Sequence, residues 1–259
     1  MSKTILITGS TDGIGLETAK MLADDGHRVL LHGRSQDKLQ QAMEPLSADG
    51  FIADLSDLNA VKTFADEVIQ KYETLDVLIN NAGVLKAPQT VTKDGFDVRF
   101  MVNTIAPYLL TQKLMPLLSA SGRVINLSSA AQSSVNLDAL AGKTTDLDAM
   151  EAYSQSKLAL TMWSIQMAKD AGDDGPVIIP VNPASLIGSK MVKEGFGVEG
   201  KDLSVGATIL SRLATEDEFS DKSGQYFDND KGAFGSPHPD ALNNQKCAEI
   251  VQAIEKLIT

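Results

Sequence analysis

Short apolar runs rich in Ile, Val and Leu alternate along this chain with longer amphipathic stretches. A parallel sheet requires that alternation. Its strands are covered on both faces, so they read as near-continuous apolar segments, and the crossovers between them are helices. The pattern predicts strands at Thr4–Thr8, Arg28–His32, Gly50–Ala53, Leu75–Ile79, Gly122–Leu127, Val177–Val181 and Gly224–Phe227. It predicts helices at Ile14–Asp25, Ser35–Pro45, Asp57–Tyr72, Gly95–Leu118, Met150–Ala171 and Ala241–Ile258. In the last of these, Cys247, Ile250, Val251, Ile254, Leu257 and Ile258 share one stripe, which makes Cys247 a packed core thiol. The expected fold class is α/β, a doubly wound parallel sheet with helices on both faces. With no repeat, linker or low-complexity tract, residues 1–259 read as a single domain.

Two stretches break the alternation: Ala130–Ala149, and Ala184–Val205 with Gly188, Gly195, Gly197 and Gly200. Long irregular segments inside a compact domain are usually binding loops or lids. Both follow strands, so both should emerge at the carboxyl edge of the sheet, where open α/β sheets bind ligands. A lid is expected around 184–205.

Charge and cysteine content narrow the partners. The 34 Asp+Glu against 23 Lys+Arg give a net charge of −11, a surface that repels nucleic acid and anionic lipid. No apolar run is long enough to span a bilayer, and Met1–Ser10 is strand-like rather than a signal peptide. Neither nucleic acid nor membrane is therefore an expected partner. Cys247 has no second cysteine to pair with, which fits a reducing compartment and a cytoplasmic location. His27, His32 and His238 lack metal-ligand spacing, so no metal is expected.

The first strand runs directly into Thr8-Gly9-Ser10-Thr11-Asp12-Gly13-Ile14-Gly15 and then a helical pattern. Glycines let a backbone turn sharply and approach a ligand, and the following helix start offers free N–H groups to a pyrophosphate. The spacing Gly-x3-Gly-x-Gly differs from Gly-x-Gly-x-x-Gly, and the Lys-Ser/Thr of a P-loop is missing. The second strand ends in His32-Gly33-Arg34-Ser35. An acidic residue there would bind a ribose 2′-hydroxyl. Arg34, helped by the Ser35 hydroxyl, suits a 2′-phosphate instead. Further along come Asp54-Leu55, Asn80-Asn81-Ala82-Gly83, Asn103, Asn126-Leu127-Ser128-Ser129 and Tyr153-Ser154-Gln155-Ser156-Lys157.

Taken in this order, the set resembles the short-chain dehydrogenase/reductase family, in its single-domain branch. The likeness runs from Thr4 through the strand at Val177–Val181 and the loop after it. Tyr-x3-Lys alone occurs by chance in many helices; the motifs in the right order on the right elements are specific. The resemblance implies a Rossmann-type fold that binds a nicotinamide dinucleotide; Arg34 where an acidic residue would select NAD(H) favours NADP(H), with NAD(H) as the alternative nucleotide. It implies Gly9, Ser10, Thr11, Ile14 and Gly15 around the pyrophosphate, and Arg34 with Ser35 at the adenosine end. Asp54 and Leu55 would meet the adenine. Asn81, Ala82 and Gly83 would line the adenosine ribose and the central strand, and Asn81 reads equally well as a tie between strands. Pro183 and Leu186 would belong to the segment over the nicotinamide.

The catalytic residues implied are Asn103, Ser129, Tyr153 and Lys157. Tyr153 and Lys157 are four apart on an expected helix and share a face. A free phenol titrates near pH 10. A lysine ammonium and an oxidised nicotinamide close by would lower that value and let Tyr153 act as general acid or base on a carbonyl or alcohol oxygen. By resemblance Lys157 also holds the nicotinamide ribose, Ser129 binds the substrate oxygen with Ser128 as the alternative, and Asn103 holds a relay water.

The long segment before Tyr153, with Asn136-Leu137-Asp138 and Asp146-Leu147-Asp148, resembles the retinol-dehydrogenase-like branch, as does Gly95-Phe96-Asp97. The family usually has Pro-Gly followed by a Thr after the sixth strand; here Ala184 follows Pro183, and Ser189 is the hydroxyl nearest the threonine position. Leu186, Ile187, Met191 and Phe196 favour an apolar carbonyl or alcohol substrate. The helices Gly95–Leu118 and Met150–Ala171 are surfaces on which the family forms homo-oligomers. Two other functions stand beside the oxidoreductase: a non-catalytic NADP(H) sensor or scaffold, against which the proton-transfer residues argue, and an epimerase or dehydratase of the same fold.

Overall fold

The computed structural model describes residues 2–188 and 190–259, and of Phe196 the backbone only. Ser189, the hydroxyl nearest the family's threonine position, lies outside the described residues, as does the Phe196 side chain. The strands are β1 (Thr4–Ile7), β2 (Arg28–Gly33), β3 (Asp49–Ile52), β4 (Leu75–Asn80), β5 (Leu118–Leu127), β6 (Val177–Asn182), β7 (Tyr226–Asp228) and β8 (Ala233–Gly235). They form one sheet in the order β3-β2-β1-β4-β5-β6-β7-β8, parallel up to β7 and antiparallel in the final pair. The helices are α1 (Gly13–Asp24), α2 (Gln36–Leu46), α3 (Leu58–Lys71), α4 (Val98–Phe100), α5 (Ala106–Leu114), α6 (Leu137–Leu140), α7 (Ala149–Ala171), α8 (Lys190–Phe196), α9 (Leu203–Thr215) and α10 (Asn244–Ile258).

Successive strand residues point to opposite faces and supply two cores. Ile5, Ile7, Leu31, Ile79, Ile125 and Ile179 meet α1, α2 and α9 on one side. Leu6, Leu30, Leu78, Val124 and Ile178 meet α3, α5, α7 and α10 on the other. Because α10 lies along α7 and Tyr108 of α5 donates to Glu255 of α10 at 3.0 Å, part of the surface of α5 and α7 is covered within the chain. Among the described residues, no helix is long and apolar enough to cross a membrane.

The departures from the expected elements have local causes. The helix expected over Gly95–Leu118 starts at Val98, because Gly95 at φ +85° and the Val91–Asp97 bridge hold the chain in a turn before it. It then takes a wide π turn over Met101–Ile105. Pro107 accounts for that turn: it has no N–H for the Asn103 carbonyl, and its ring would crowd that oxygen in a regular helix. At the far end the helix tightens at Met115–Leu117, and Leu118 already belongs to β5, paired with Leu75 ahead of a register irregularity. Helix α9 was not expected; its buried Ala207, Ile209, Leu210, Leu213 and Ala214 have helical spacing, but Gly206 and β-branched neighbours mask it in the sequence. Strand β8 is a three-residue hairpin partner of β7, too short to leave a pattern.

Candidate active site

The parallel topology brings the carboxyl ends of β1 to β6 to one edge of the sheet. There the expected residues Gly9–Gly15, Arg34–Ser35, Asp54–Leu55, Asn81–Gly83, Ser128–Ser129 and Pro183–Leu186 all emerge. Strand order reverses between β1 and β4, the crevice where such sheets hold ligands.

The glycine turn is packed, not merely flexible. Gly9 sits at φ +64°, and a β-carbon on it would lie 2.9 Å from Ala82 Cα. A β-carbon on Gly15 would lie 2.4 Å from Asn81 Nδ2 and 2.5 Å from the Gly9 carbonyl oxygen. The first turn of α1 is thereby drawn onto the strand ends; Asp12 takes the Gly13 N–H at 2.7 Å, and among the described residues the Ile14 and Gly15 N–H groups are left as donors for an anion. Side chains in this turn serve the protein itself. Ser10 is buried; its hydroxyl donates to the Ile7 carbonyl at 2.8 Å and accepts the His32 N–H at 2.9 Å, and its own N–H donates to the His32 carbonyl at 3.0 Å, so it ties β1 to β2. Asn81 Nδ2 donates to the Thr8 and Gly9 carbonyls at 2.9 and 3.0 Å, which is the strand-tying role. Thr11 packs on Gly33, where a β-carbon would lie 2.4 Å from its Cγ2.

Arg34 is exposed, and among the described residues it has no hydrogen bond or ion pair. Ser35 caps α2 by accepting the Lys38 N–H at 3.4 Å. Asp54 accepts from the Ser56 N–H and hydroxyl at 2.9 and 2.8 Å, while Leu55 is buried. A glycine cradle on a helix start, with an unpaired guanidinium at the neighbouring strand end, is a donor set that fits a phosphorylated dinucleotide.

The four residues expected to do chemistry converge beyond it. A β-carbon on Gly83 would lie 3.4 Å from Asn103 Oδ1, 3.5 Å from Lys157 Nζ and 3.6 Å from the Met191 methyl of α8. Tyr153 and Lys157 stand one turn apart on α7, with Nζ 5.7 Å from the phenol ring centre. Lys157 is 3% exposed and donates to the Leu127 carbonyl at 2.6 Å; burial pulls its pKa down from 10.5 to about 7. Burial raises the Tyr153 phenol, and a hydrogen bond with the Ser129 side chain works against that rise. The lowering expected from the ammonium is therefore not present in the free protein. Ser129 and Ser128 point apart. The Ser128 hydroxyl is buried against Thr161 at 2.6 Å, whereas Ser129 meets Tyr153.

Asn103 lies in the π turn and is fully buried. Its Oδ1 accepts the Val84 N–H at 2.8 Å, and its Nδ2 donates to the Val84 carbonyl and the Ser156 hydroxyl at 2.9 and 3.0 Å. Its amide is thus engaged on both sides by the protein itself.

The segment expected to form a lid is anchored at its start. Asp230 accepts from the Ser185 N–H at 3.0 Å, from the Ser185 hydroxyl, from Asn182 Nδ2 at 3.0 Å and from Lys201 Nζ at 3.0 Å. These bonds hold its carboxyl well below the usual range despite the opposing effect of burial. They also hold Ala184 at φ +125° and Leu186 at φ +55°, conformations that favour glycine. Pro183 leads into this segment, and its carbonyl accepts Asn229 Nδ2 at 2.9 Å. Helix α8 then packs on the loop after β4: a β-carbon on Gly195 would lie 2.6 Å from Leu85 Cδ2, and Lys86 Nζ donates to the Glu194 carbonyl at 3.0 Å.

Some contributors were not among the expected residues. Ser156 joins Asn103 to the Tyr153 carbonyl, which its hydroxyl reaches at 2.7 Å. Tyr226 and Gln132 fix Ser129 by donating to its carbonyl at 3.1 and 2.8 Å. The serine inside Tyr153–Lys157 was a visible signal for the first. Nothing in the sequence brings residue 226 to residue 129.

The fold and this edge define a dinucleotide-binding α/β protein with a serine, tyrosine and lysine at its cleft. The family model described as short chain dehydrogenase matches residues 3–196, and the chain belongs to the short-chain dehydrogenase/reductase family. Retinol dehydrogenase 13 of Homo sapiens is 31% identical, over 94% of this chain and 80% of its own. Retinol dehydrogenase 12 of Bos taurus is 33% identical, over 95% and 83%. Among solved structures, an uncharacterised protein from Mycobacterium paratuberculosis superposes with a TM-score of 0.82 and 26% identity, covering 99% of this chain and 93% of that one. A short chain dehydrogenase from Burkholderia cenocepacia in complex with NADP gives 0.70 and 26%, covering 88% and 95%.

Proposed function

We propose that this chain is an NADP(H)-dependent oxidoreductase that interconverts a small-molecule ketone or aldehyde and the corresponding alcohol. The observation that carries this reading is the convergence of Lys157 and Asn103 on Gly83, with the Tyr153 phenol beside Ser129. The α1 cradle would hold the pyrophosphate, Asp54 and Leu55 the adenine edge, and Arg34 the 2′-phosphate. When bound, the dinucleotide supplies or accepts the hydride at nicotinamide C4.

Everything else falls to this chain's own groups. The Ser129 hydroxyl fixes the substrate oxygen, and the Tyr153 phenol gives that oxygen its proton in reduction or takes it in oxidation. Lys157, already close to neutral pH in its titration, passes charge and proton toward Tyr153, and Asn103 holds a water in the proton relay toward Lys157. The Met191 methyl beside Gly83 gives the cleft an apolar contact, which supports an apolar substrate; the similarity to retinol dehydrogenases points the same way. The acidic surface and buried Cys247 support a cytoplasmic setting.

Tyr153→Phe tests the reading. The expected variant binds NADPH with unchanged affinity and loses NADPH-linked carbonyl reduction by a factor on the order of 10²–10⁴, the usual worth of a positioned acid. A sensor or scaffold of this fold would instead behave identically with and without the phenol oxygen.

A further inference from the structure

His32 is 2% exposed at the end of β2, two residues before Arg34. Its ring stacks on Phe64 of α3, centroids 4.8 Å apart and planes 22° from parallel. Both nitrogens are used. Nδ1 accepts the Gly9 N–H at 3.1 Å, and Nε2 lies 3.1 Å from the Ala53 carbonyl oxygen. An amide N–H only donates and a carbonyl only accepts, so the ring is neutral with its proton on Nε2. Burial agrees, lowering its pKa from 6.5 to about 4.

The ring therefore joins three strand ends. On one side is the glycine turn at the residue with φ +64° that packs on Ala82; on the other is the Ala53–Leu55 segment; Arg34 follows on the same strand. We propose that His32 is the positioning residue of the adenosine half of the cofactor pocket, holding the Gly9 turn and the Ala53–Leu55 edge at a fixed separation on either side of Arg34. The inference rests on the assignment of this edge to a dinucleotide. It concerns a side chain that reaches no ligand itself and acts through Gly9 and Ala53.

Two substitutions separate the two bonds. In His32→Asn the amide oxygen can stand where Nδ1 stands, which restores the acceptor for Gly9 and leaves Ala53 unmet. In His32→Gln the amide nitrogen can stand where Nε2 stands, which restores the donor to Ala53 and leaves Gly9 unmet. Both stay polar and keep more of the side chain than alanine does, so they carry the test if His32→Ala does not fold. Dissociation constants for NADPH and for adenosine 2′,5′-bisphosphate would be measured by calorimetry on the full chain, alongside the melting temperature without nucleotide. His32→Gln is expected to weaken both nucleotides at least tenfold, with His32→Asn recovering most of the NADPH affinity and less of the bisphosphate affinity. Unchanged affinities in folded His32→Gln and His32→Asn overturn the proposal, as do losses that merely follow the melting temperature. A wild-type chain that binds neither nucleotide overturns the dinucleotide assignment itself, and this proposal with it.

Discussion

Gly15→Ala sets two physical effects against each other. Helix propensity favours alanine over glycine by about 1 kcal/mol in a helix interior. Packing opposes it, because the new β-carbon would lie 2.4 Å from Asn81 Nδ2 and 2.5 Å from the Gly9 carbonyl oxygen. Neither neighbour yields freely. The carbonyl belongs to a turn at φ +64°, and the amide is donating to Thr8 and Gly9 at 2.9 and 3.0 Å. Overpacking of this kind costs about 1–3 kcal/mol. Losing the two amide bonds adds roughly 1 kcal/mol each. Net of propensity, the variant should be about 2–4 kcal/mol less stable. A chain of this size loses about 2 °C per kcal/mol, so its melting temperature should fall by about 4–8 °C. The turn proposed to cradle the pyrophosphate would move with the clash, so NADPH affinity should drop at least tenfold in a fluorescence titration. A variant that melts at or above the wild-type temperature and binds NADPH normally would refute the packing argument and leave only helix propensity.

Three further outcomes follow from single residues. Lys157 releases its proton near pH 7 when folded and near 10.5 when unfolded, so the unfolded chain binds more protons between those values. Its contribution to stability is therefore fully present above 10.5 and lost as pH falls through about 7. Lys157→Met should flatten the rise of the urea midpoint across that window, and an unaltered slope counts against the burial argument. Ser156→Ala leaves Asn103 Nδ2 one acceptor short and removes the donor to the Tyr153 carbonyl. Turnover should fall about tenfold, the worth of one such buried bond, while NADPH affinity holds; equal losses in both would argue for a general structural defect. Ala184→Gly relieves a side chain held at φ +125°. Strain there is on the order of 1–3 kcal/mol against roughly 0.5–1 kcal/mol of extra unfolded-state freedom for glycine, so the variant should melt at or above the wild-type temperature.

The sheet was legible because its strands are apolar on both faces, and that pattern survives without any knowledge of partners. Seven strands and the helices α1, α2, α3, α7 and α10 lie where the pattern puts them, within a few residues. Helix α9 stayed hidden because Gly206 and the β-branched Thr208 and Ile209 weaken a helical signature that its buried face nevertheless keeps. The π turn at Asn103 could have been anticipated from Pro107 four residues on, yet a proline in an apolar run reads more easily as an ordinary helix start. At the site, glycines and the tyrosine–lysine pair carry local signals. The residues that support them do not: His32 reaches Gly9 and Ala53, and Asp230 reaches Ser185, only through tertiary structure. The same holds for protonation. Spacing places Lys157 beside Tyr153, but only burial reveals that the lysine titrates near neutrality and that the free phenol is raised rather than lowered.

The most direct test of the central claim is a paired titration of the purified chain with NADPH and NADH, repeated with Arg34→Ala. The account predicts tight NADPH binding, markedly weaker NADH binding, and loss of that difference when the unpaired guanidinium at the end of β2 is removed. Binding of neither nucleotide would contradict the account at its root. Equal affinity for both in the wild-type chain would contradict the assignment of Arg34 to the 2′-phosphate.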